Sequence, residues 1–298
     1  MSFLDVFQAG AKRTNATARI DGIAPYPFVV HHAEADEFIS RQIADSGTWE
    51  PLETLLIQRL APHFGVFLDL GANIGWYTAL AQRLMPQGSE IHAFEPDSRN
   101  FRLLKINAAN AGHAGTHLSR MAVADKPGFA DLAQSRTNLG DHRLGAPAKG
   151  QRTARVPVTT LDAYFGDRAL PPLLAKIDTQ GSEPRILAGA QRTLSAQARE
   201  NVMILEFWPS AMEENGQNVD AFIEHLSGLA ERPFRINHQA GALQPMTWER
   251  LARRADDLRT MRLFFDLLVA APEAKAMASI ADLISSVPEG EGDAPLHI

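Results

Sequence analysis

One segment, FLDLGANIGWYTALAQRL at residues 67–84, constrains the fold of this chain more than any other. It joins a short apolar run, an acidic residue, a Gly-x-x-x-Gly turn and a helix-like stretch. Gly71 can adopt backbone angles that are closed to other residues and leaves room for a ligand, and Gly75 lets the helix start close to the strand. Such a strand–turn–helix unit is typical of α/β proteins that bind a ligand at the helix N-terminus.

The turn differs from the glycine pattern G-x-G-x-x-G of dinucleotide enzymes. Asn73 stands at the second glycine position and Trp76 at the third, and Asp69 would repel a pyrophosphate. A carboxylate at Asp69 instead suits a cationic ligand, such as the amino group or sulfonium of S-adenosylmethionine. An ordinary tight strand–helix turn is the alternative.

The next segment, GSEIHAFEP at residues 88–96, supports a nucleoside ligand. Its strand leads into Glu95, which lies 24 positions after Gly71. In Rossmann-like folds an acidic residue about 20 positions on binds the ribose hydroxyls, and a carboxylate can accept both hydroxyl protons. A solvated glutamate at the strand end is the alternative, but the two features together favour nucleoside binding.

The rest of the chain alternates strand-like and helix-like segments, which predicts a parallel sheet flanked by helices. The predicted strands are 66–70, 90–94, 116–119, 173–177, 202–207, 234–237 and 262–269, and the predicted helices are 74–84, 98–110, 183–194, 219–230 and 247–254. Before them we expect a short helix and a loop within residues 1–25, a short strand at 28–30, and helices at 36–43 and 51–60. Residues 126–155 have weak periodicity and predict a long polar loop.

The chain resembles the FkbM-type methyltransferases, a branch of the class I S-adenosylmethionine-dependent enzymes. The matching segments are FLDLGANIGWYTALAQ, IHAFEPDSRNFRLLKINAANAG, AVADKPG, NLGDHRL, VPVTTLDAY, LLAKIDTQGSEPRILAGA and VMILEFWPSAM, which cover about residues 66–212. GTWEP at 47–51 resembles the segment that leads into the family's domain. The resemblance implies O-methylation and a Rossmann-like α/β fold with a mostly parallel, seven-stranded sheet. Many members carry glutamate where this chain has Gln180.

With this resemblance the chain divides into an N-terminal helical extension (1–63), an S-adenosylmethionine-dependent methyltransferase domain (64–270), and a C-terminal helix with a disordered tail (271–298). The lack of cysteine excludes disulfides and cysteine-based metal centres. A net charge of −6 argues against a nucleic-acid partner held by bulk charge. Without a signal sequence or a long apolar stretch, we expect no membrane partner and a cytoplasmic location. Whether the protein forms a homodimer stays open.

Three acidic or basic side chains near two strand ends are the first catalytic candidates. Lys176 and Asp178 point to the same face of their strand, because side chains alternate along it. Asp178 could orient or deprotonate an acceptor hydroxyl, and Lys176 could hold Asp178 ionised or stabilise an alkoxide. A structural ion pair is the alternative. Glu206, at the end of the next strand, is a second candidate carboxylate.

His142 lies in NLGDHRLG, between Asp141 and Arg143. An unperturbed histidine pKa of about 6.5 suits a general base, and the resemblance implies that this segment covers the active site. We predict that His142 takes the acceptor proton and that Asp178 positions the hydroxyl or the histidine. The reverse assignment stays open.

The predicted cofactor site consists of Glu50, Asp69, Gly71, Asn73, Gly75, Glu95, Pro96, Ala124 and Asp125. Within it, residues 122–125 predict an adenine pocket in which Asp125 accepts from the exocyclic amine; a plain strand-to-loop junction is the alternative. We expect no metal, although Asp141, His142, Asp178 and Glu206 could supply ligands for Mg²⁺ or Mn²⁺.

The sequence therefore predicts an S-adenosylmethionine-dependent O-methyltransferase. Its partner would be a small hydroxylated acceptor, such as a sugar or a natural-product scaffold. The alternative function is a catalytically weak, nucleoside-binding scaffold protein. A nicotinamide-dependent dehydrogenase is disfavoured by Asn73, which replaces the second glycine of the dinucleotide pattern.

Overall fold

The computed structural model describes residues 13–135, 138–145, 151–195, 200–270 and 274–286. Its strands are β1 (Arg13–Ile20), β2 (Ile23–His31), β3 (Val66–Leu70), β4 (Glu90–Phe94), β5 (Thr116–Ser119), β6 (Ala122–Val123), β7 (Gly128–Gln134), β8 (Arg143–Leu144), β9 (Arg152–Thr159), β10 (Leu173–Ile177), β11 (Val202–Phe207), β12 (Pro233–Asn237), β13 (Ala242–Pro245) and β14 (Phe265–Ala270). Its helices are α1 (Ile39–Ser46), α2 (Pro51–Leu60), α3 (Trp76–Leu84), α4 (Ser98–Ala109), α5 (Leu161–Phe165), α6 (Glu183–Ala188), α7 (Gln191–Ser195), α8 (Pro209–Glu214), α9 (Val219–Ser227) and α10 (Trp248–Met261). Two 3₁₀ segments cover Ala61–His63 and Lys275–Leu283.

An eight-stranded sheet in the order β13-β12-β14-β11-β10-β3-β4-β5 forms the centre of the protein. The pairs from β11 to β5 are parallel, whereas β14 runs antiparallel to both β11 and β12. Strands β3, β10 and β11 are buried along their whole length, because helices cover both faces of the sheet.

The observed α/β architecture agrees with the sequence prediction, but the observed sheet differs from the mostly parallel, seven-stranded sheet that was predicted. The sheet is mixed and has an eighth strand, β13, which pairs antiparallel with β12. The segment ALQP gives β13 no apolar run of its own, so local periodicity could not indicate it. Strand direction is likewise set by the connections between strands and not by the residues within them.

The N-terminal extension is not purely helical, because β1 and β2 form an antiparallel hairpin. The turn is Asp21-Gly22, with Gly22 at φ +75°, and this dipeptide is a strong hairpin signal that the prediction of a helix and a loop missed. The hairpin is fixed to α4, since Asn107 accepts from the Val29 amide (2.7 Å) and donates to the Val29 carbonyl (2.9 Å). Residues 1–12 lie outside the described part of the chain.

The predicted long loop at 126–155 contains most of a second sheet, in the order β6-β9-β7-β8. Strands β7 and β9 pair antiparallel from Gly128↔Val158 to Gln134↔Arg152. Only one face of this sheet is apolar, with Leu132, Val156 and Val158 buried, so its apolar content was too low to stand out in the sequence. Residues 136–137 and 146–150 lie outside the described residues.

At the C-terminus, the predicted helix is a 3₁₀ segment, Lys275–Leu283. The tail predicted to be disordered, 287–298, lies outside the described residues. Among the described residues, no helix combines the length and the apolar character that a membrane span requires.

Candidate active site

A cavity of about 410 Å³ opens at the carboxyl ends of β3, β4, β10 and β11. This volume is in the usual range for small-molecule sites, and the position is where parallel α/β sheets bind ligands. One wall comes from the second sheet through Leu132 and Leu144, and another comes from the N-terminal extension through Phe38 and Trp49. Both additions to the core sheet therefore enclose the same site.

Glu95 lies at the end of β4, where its carboxylate is fixed by two backbone amides. Oε2 accepts from the Asn73 amide (2.9 Å) and Oε1 from the Asp97 amide (2.7 Å). Burial raises the pKa of Glu95 to about 8, so further donors, such as two ribose hydroxyls, would stabilise its ionised form. Glu95 and Pro96 both line the cavity, as predicted.

The backbone of the turn between β3 and α3 lies next to the cavity. Gly71, at φ +88°, donates from its amide to the Phe94 carbonyl (3.0 Å), and a Cβ here would lie 1.9 Å from the Asp178 carbonyl oxygen. Asn73 has φ 49°, and its buried Oδ1 has no hydrogen-bond partner among the described residues. Gly75 is different, because it does not belong to the described cavity lining. It lets α3 pack closely on Leu104 of α4.

Asp69 is buried at the cavity, next to Lys176 on the neighbouring strand. Its Oδ2 accepts from the Thr78 hydroxyl (2.5 Å). Burial raises the pKa of Asp69 to about 6. The residue is therefore an acidic group in a poorly solvated position, which a cationic ligand would stabilise.

Lys176 is 1% exposed and lies among carboxylates from three parts of the chain. Its Nζ is 3.5 Å from Asp178 Oδ2, 3.7 Å from Asp266 Oδ1 and 3.9 Å from Glu50 Oε2. Burial alone would lower the pKa of Lys176, but the combined field of these carboxylates raises it well above its ordinary value. The surrounding carboxylates thus favour the protonated form of Lys176, whose positive charge offsets part of the negative charge.

Asp178 and Glu206 are joined by one amide side chain. Gln180 Nε2 donates to Asp178 Oδ1 (2.7 Å) and to Glu206 Oε1 (3.1 Å). Glu206 Oε2 is buried and has no hydrogen-bond partner among the described residues, and burial raises the pKa of Glu206 well above its ordinary value. All three side chains line the cavity, so Gln180 connects the two predicted carboxylates.

His142 lines the cavity, but both ring nitrogens face protein groups. The Ser135 amide donates to Nδ1 (3.1 Å), and Nε2 lies 3.2 Å from Arg99 Nη2 and 3.7 Å from Asp97 Oδ2. The Ser135 amide can donate only to an unprotonated Nδ1 and Arg99 only to an unprotonated Nε2, so a neutral ring satisfies one of these two contacts at a time. Burial lowers the pKa of His142. These contacts favour a positioning role over the predicted general base.

The segment predicted to form an adenine pocket, residues 122–125, lines the cavity only in part. Met121, Ala122 and Val123 line the cavity, whereas Ala124 and Asp125 do not belong to its described lining. The Asp125 carboxylate instead accepts from Arg185 Nε (2.7 Å). The reason is that β6 ends at Val123, after which the chain leaves the cavity and leads into β7.

The predicted residue Glu50 lines the cavity and accepts from the Tyr77 hydroxyl (2.5 Å). Three other residues of this region were not predicted: Glu53, His238 and Asp266. Burial alone would lower the pKa of His238, but Asp266 and Glu53 raise it to about 10. Asp266 interrupts the apolar strand FDLLVA, which is the one local signal that could have identified this group.

Replacing Glu95 with alanine is expected to weaken S-adenosylmethionine binding by about 1.5–3 kcal/mol, the usual value of hydrogen bonds to a charged group. Isothermal titration calorimetry on the folded variant measures this directly. Asp125→Ala is the matched control, because Asp125 pairs with Arg185 and does not line the cavity. Unchanged affinity in Glu95→Ala would remove Glu95 from the cofactor site.

One comparison with known proteins identifies a family. A model of the FkbM methyltransferase domain matches residues 69–236, more than half of the chain. Among solved structures, the chain is similar to an FkbM methyltransferase from Methylobacillus flagellatus KT, with 20% identity over 54% of this chain and 36% of that chain, and a TM-score of 0.35. This chain therefore spans about a third of that protein. Comparison with curated proteins found no match.

Two further solved structures are O-methyltransferases in complex with a ligand. TomG from Streptomyces achromogenes, involved in tomaymycin synthesis and bound to S-adenosylmethionine, is 14% identical over 75% of this chain and 81% of that chain, with a TM-score of 0.43. The Bacillus cereus enzyme, bound to S-adenosylhomocysteine, is 15% identical over 76% of this chain and 83% of that chain, with a TM-score of 0.41.

The cavity fits S-adenosylmethionine in charge and in hydrogen bonding. Glu95 offers a fixed carboxylate, and Asn73 presents an unpartnered, buried acceptor. Several carboxylates around Lys176 favour a ligand with a positive charge. Together with the match over residues 69–236, these features show that the chain belongs to the FkbM methyltransferase family, with S-adenosylmethionine as its cofactor.

Proposed function

We propose that this protein methylates a hydroxyl group on a small molecule, such as a sugar or a natural-product scaffold. One observation carries the proposal: Glu206 Oε2 is a buried carboxyl oxygen without a hydrogen-bond partner among the described residues, in the same cavity as Asp178. An unsatisfied buried polar atom is costly, and the hydroxyl of a methyl acceptor, which can both donate and accept, would satisfy it. The aromatic side chains Phe38, Trp49 and Phe264 supply apolar contact area for the rest of the molecule.

When bound, S-adenosylmethionine supplies an electrophilic methyl group on a sulfonium ion. The residues of this chain would then orient and deprotonate the acceptor hydroxyl. Asp178 lies on the loop directly after β10 and takes the hydroxyl proton at a carboxylate oxygen. Gln180 fixes the orientation of the Asp178 carboxylate through its 2.7 Å hydrogen bond. Lys176, with its Nζ 3.5 Å from Asp178 Oδ2, places a positive charge beside that carboxylate.

The direct test is transfer of an isotope-labelled methyl group to hydroxylated acceptors. A panel should pair each alcohol with its methyl ether, which has the same carbon skeleton and no proton to lose. Labelled product from the alcohol and none from the ether is the expected result. If only amines were labelled, the protein would be an N-methyltransferase and the proposal of O-methylation would be wrong. Tight cofactor binding without any transfer would favour the scaffold alternative.

S-adenosylhomocysteine is expected to raise the melting temperature of the protein, and NAD is not. A ligand at 100 times its Kd adds about 2.7 kcal/mol of stability to the folded state. A thermal-shift titration with both compounds measures the difference, and Glu95→Ala should reduce the response to S-adenosylhomocysteine. If NAD raised the melting temperature as much as S-adenosylhomocysteine does, the result would support the dehydrogenase alternative.

A further inference from the structure

The group of Glu53, His238 and Asp266 joins three separate elements at one side of the cavity. Glu53 lies on α2, His238 follows β12, and Asp266 lies on β14. One ligand atom from each residue lies within 4.8 Å of the other two. His238 and Asp266 also line the cavity, so the group can be reached from it.

The spacing of these atoms fits a transition-metal ion. His238 Nε2 lies 3.0 Å from Glu53 Oε1 and 3.8 Å from Asp266 Oδ2. Ligands about 2.1 Å from a metal lie about 3.0 Å apart at right angles and about 3.4 Å apart in a tetrahedron. Small shifts of the side chains would therefore bring all three atoms to bonding distance.

Glu53 gives an independent indication of a missing ligand. Its side chain is fully buried, Oε2 has no hydrogen-bond partner among the described residues, and Oε1 has only the 3.0 Å contact with His238. Buried acceptors of this kind are normally satisfied by a donor, a water or an ion. Asp266 can serve two cations at once, because Oδ1 faces Lys176 while Oδ2 faces His238.

We propose that Glu53, His238 and Asp266 bind a divalent transition-metal ion, such as Zn²⁺ or Mn²⁺. The imidazole ligand favours these ions over Mg²⁺ or Ca²⁺, which prefer oxygen ligands alone. The ion would connect α2 of the N-terminal extension to two strands of the core sheet. With three protein ligands, it would keep an open coordination position that water or an acceptor oxygen can occupy.

This set differs from the residues that the sequence suggested as metal ligands. Asp178 and Glu206 are joined by Gln180 instead, and His142 faces Asp97. A second group of metal-binding type in the described residues consists of Glu90, His92 and His117 at the edge of the sheet. There His92 already contacts Glu90 (2.9 Å) and Tyr164 (3.0 Å), so a metal would have to displace existing partners.

The test is equilibrium dialysis of the full chain against Zn²⁺ and, separately, Mn²⁺, followed by elemental analysis. The starting protein is His117→Ala, which removes an exposed ligand from the sheet-edge group. We expect one ion per chain in His117→Ala and none when His238→Gln is added. Binding that survives His238→Gln, or that is absent from His117→Ala, would overturn the proposal.

Anomalous diffraction from unmodified protein equilibrated with Zn²⁺ provides a second measurement that needs no variant. The expected result is a peak between Glu53, His238 and Asp266. A peak only beside His92 and His117, or no peak at all, contradicts the proposal. In the latter case, a protonated His238 satisfies the two carboxylates by itself. Neither outcome bears on methyl transfer, so this site and the proposed function are tested separately.

Discussion

Replacing Asp178 with asparagine should lower kcat by about 10²–10⁴-fold, the typical contribution of general-base catalysis. The amide keeps the shape of the side chain but accepts no proton. The Asp266 carboxylate stays 3.7 Å from Lys176 Nζ, so Lys176 keeps an anionic neighbour and the variant should fold. Cofactor affinity should be nearly unchanged, and single-turnover methyl transfer beside calorimetric binding measures both quantities.

His142→Asn is the matched control for this prediction. The ring nitrogens of His142 face Ser135, Asp97 and Arg99. Loss of this ring should therefore reduce kcat less than the loss of a general base would. If His142→Asn instead costs 10²–10⁴-fold while Asp178→Asn stays active, then His142 is the base, as the sequence predicted. In that case Asp178 only positions the hydroxyl or the histidine.

Gly71→Ala should lower the free energy of unfolding by about 2–6 kcal/mol. A left-handed backbone costs a non-glycine residue about 1–3 kcal/mol, and overpacking costs about 1–3 kcal/mol more. Here the added Cβ would lie 1.9 Å from the Asp178 carbonyl oxygen, which belongs to rigid backbone. Urea denaturation monitored by circular dichroism measures the loss.

Gly88→Ala separates the two causes. Gly88 has nearly the same backbone angle, φ +89°, but nothing lies within 4 Å of its added Cβ. Its replacement should therefore cost only about 1–2 kcal/mol, the backbone contribution. If both variants lost the same free energy of unfolding, the close approach of Gly71 to the Asp178 loop would make no contribution to stability.

Four of the predicted cofactor-binding residues line one cavity, and the sequence could group them because they lie close together along the chain. Asp69, Gly71 and Asn73 belong to one strand–turn unit, and Glu95 ends the next strand. Parallel strands bring their carboxyl ends to the same edge of a sheet, so local patterns alone predict that these residues meet. The family and the cofactor were confirmed on this basis. For Ala124 and Asp125 the prediction missed where β6 ends.

The acceptor half depends on contacts between distant segments, which local periodicity does not encode. His142 could be identified as a candidate, but only the folded chain brings it beside Asp97 and Arg99, which occupy its ring nitrogens. The second sheet and the eighth strand were missed because short strands with one apolar face resemble loops in the sequence.

The sequence by itself determined the α/β core, the nucleoside-binding turn and the family, because each depends on residue types at fixed, short spacings. The tertiary structure alone decided which charges surround Lys176 and how Glu53, His238 and Asp266 meet. These three residues come from the N-terminal extension and from two strands far along the chain. Their interaction depends on strand order and helix docking, which result from burial of apolar surface across the whole domain.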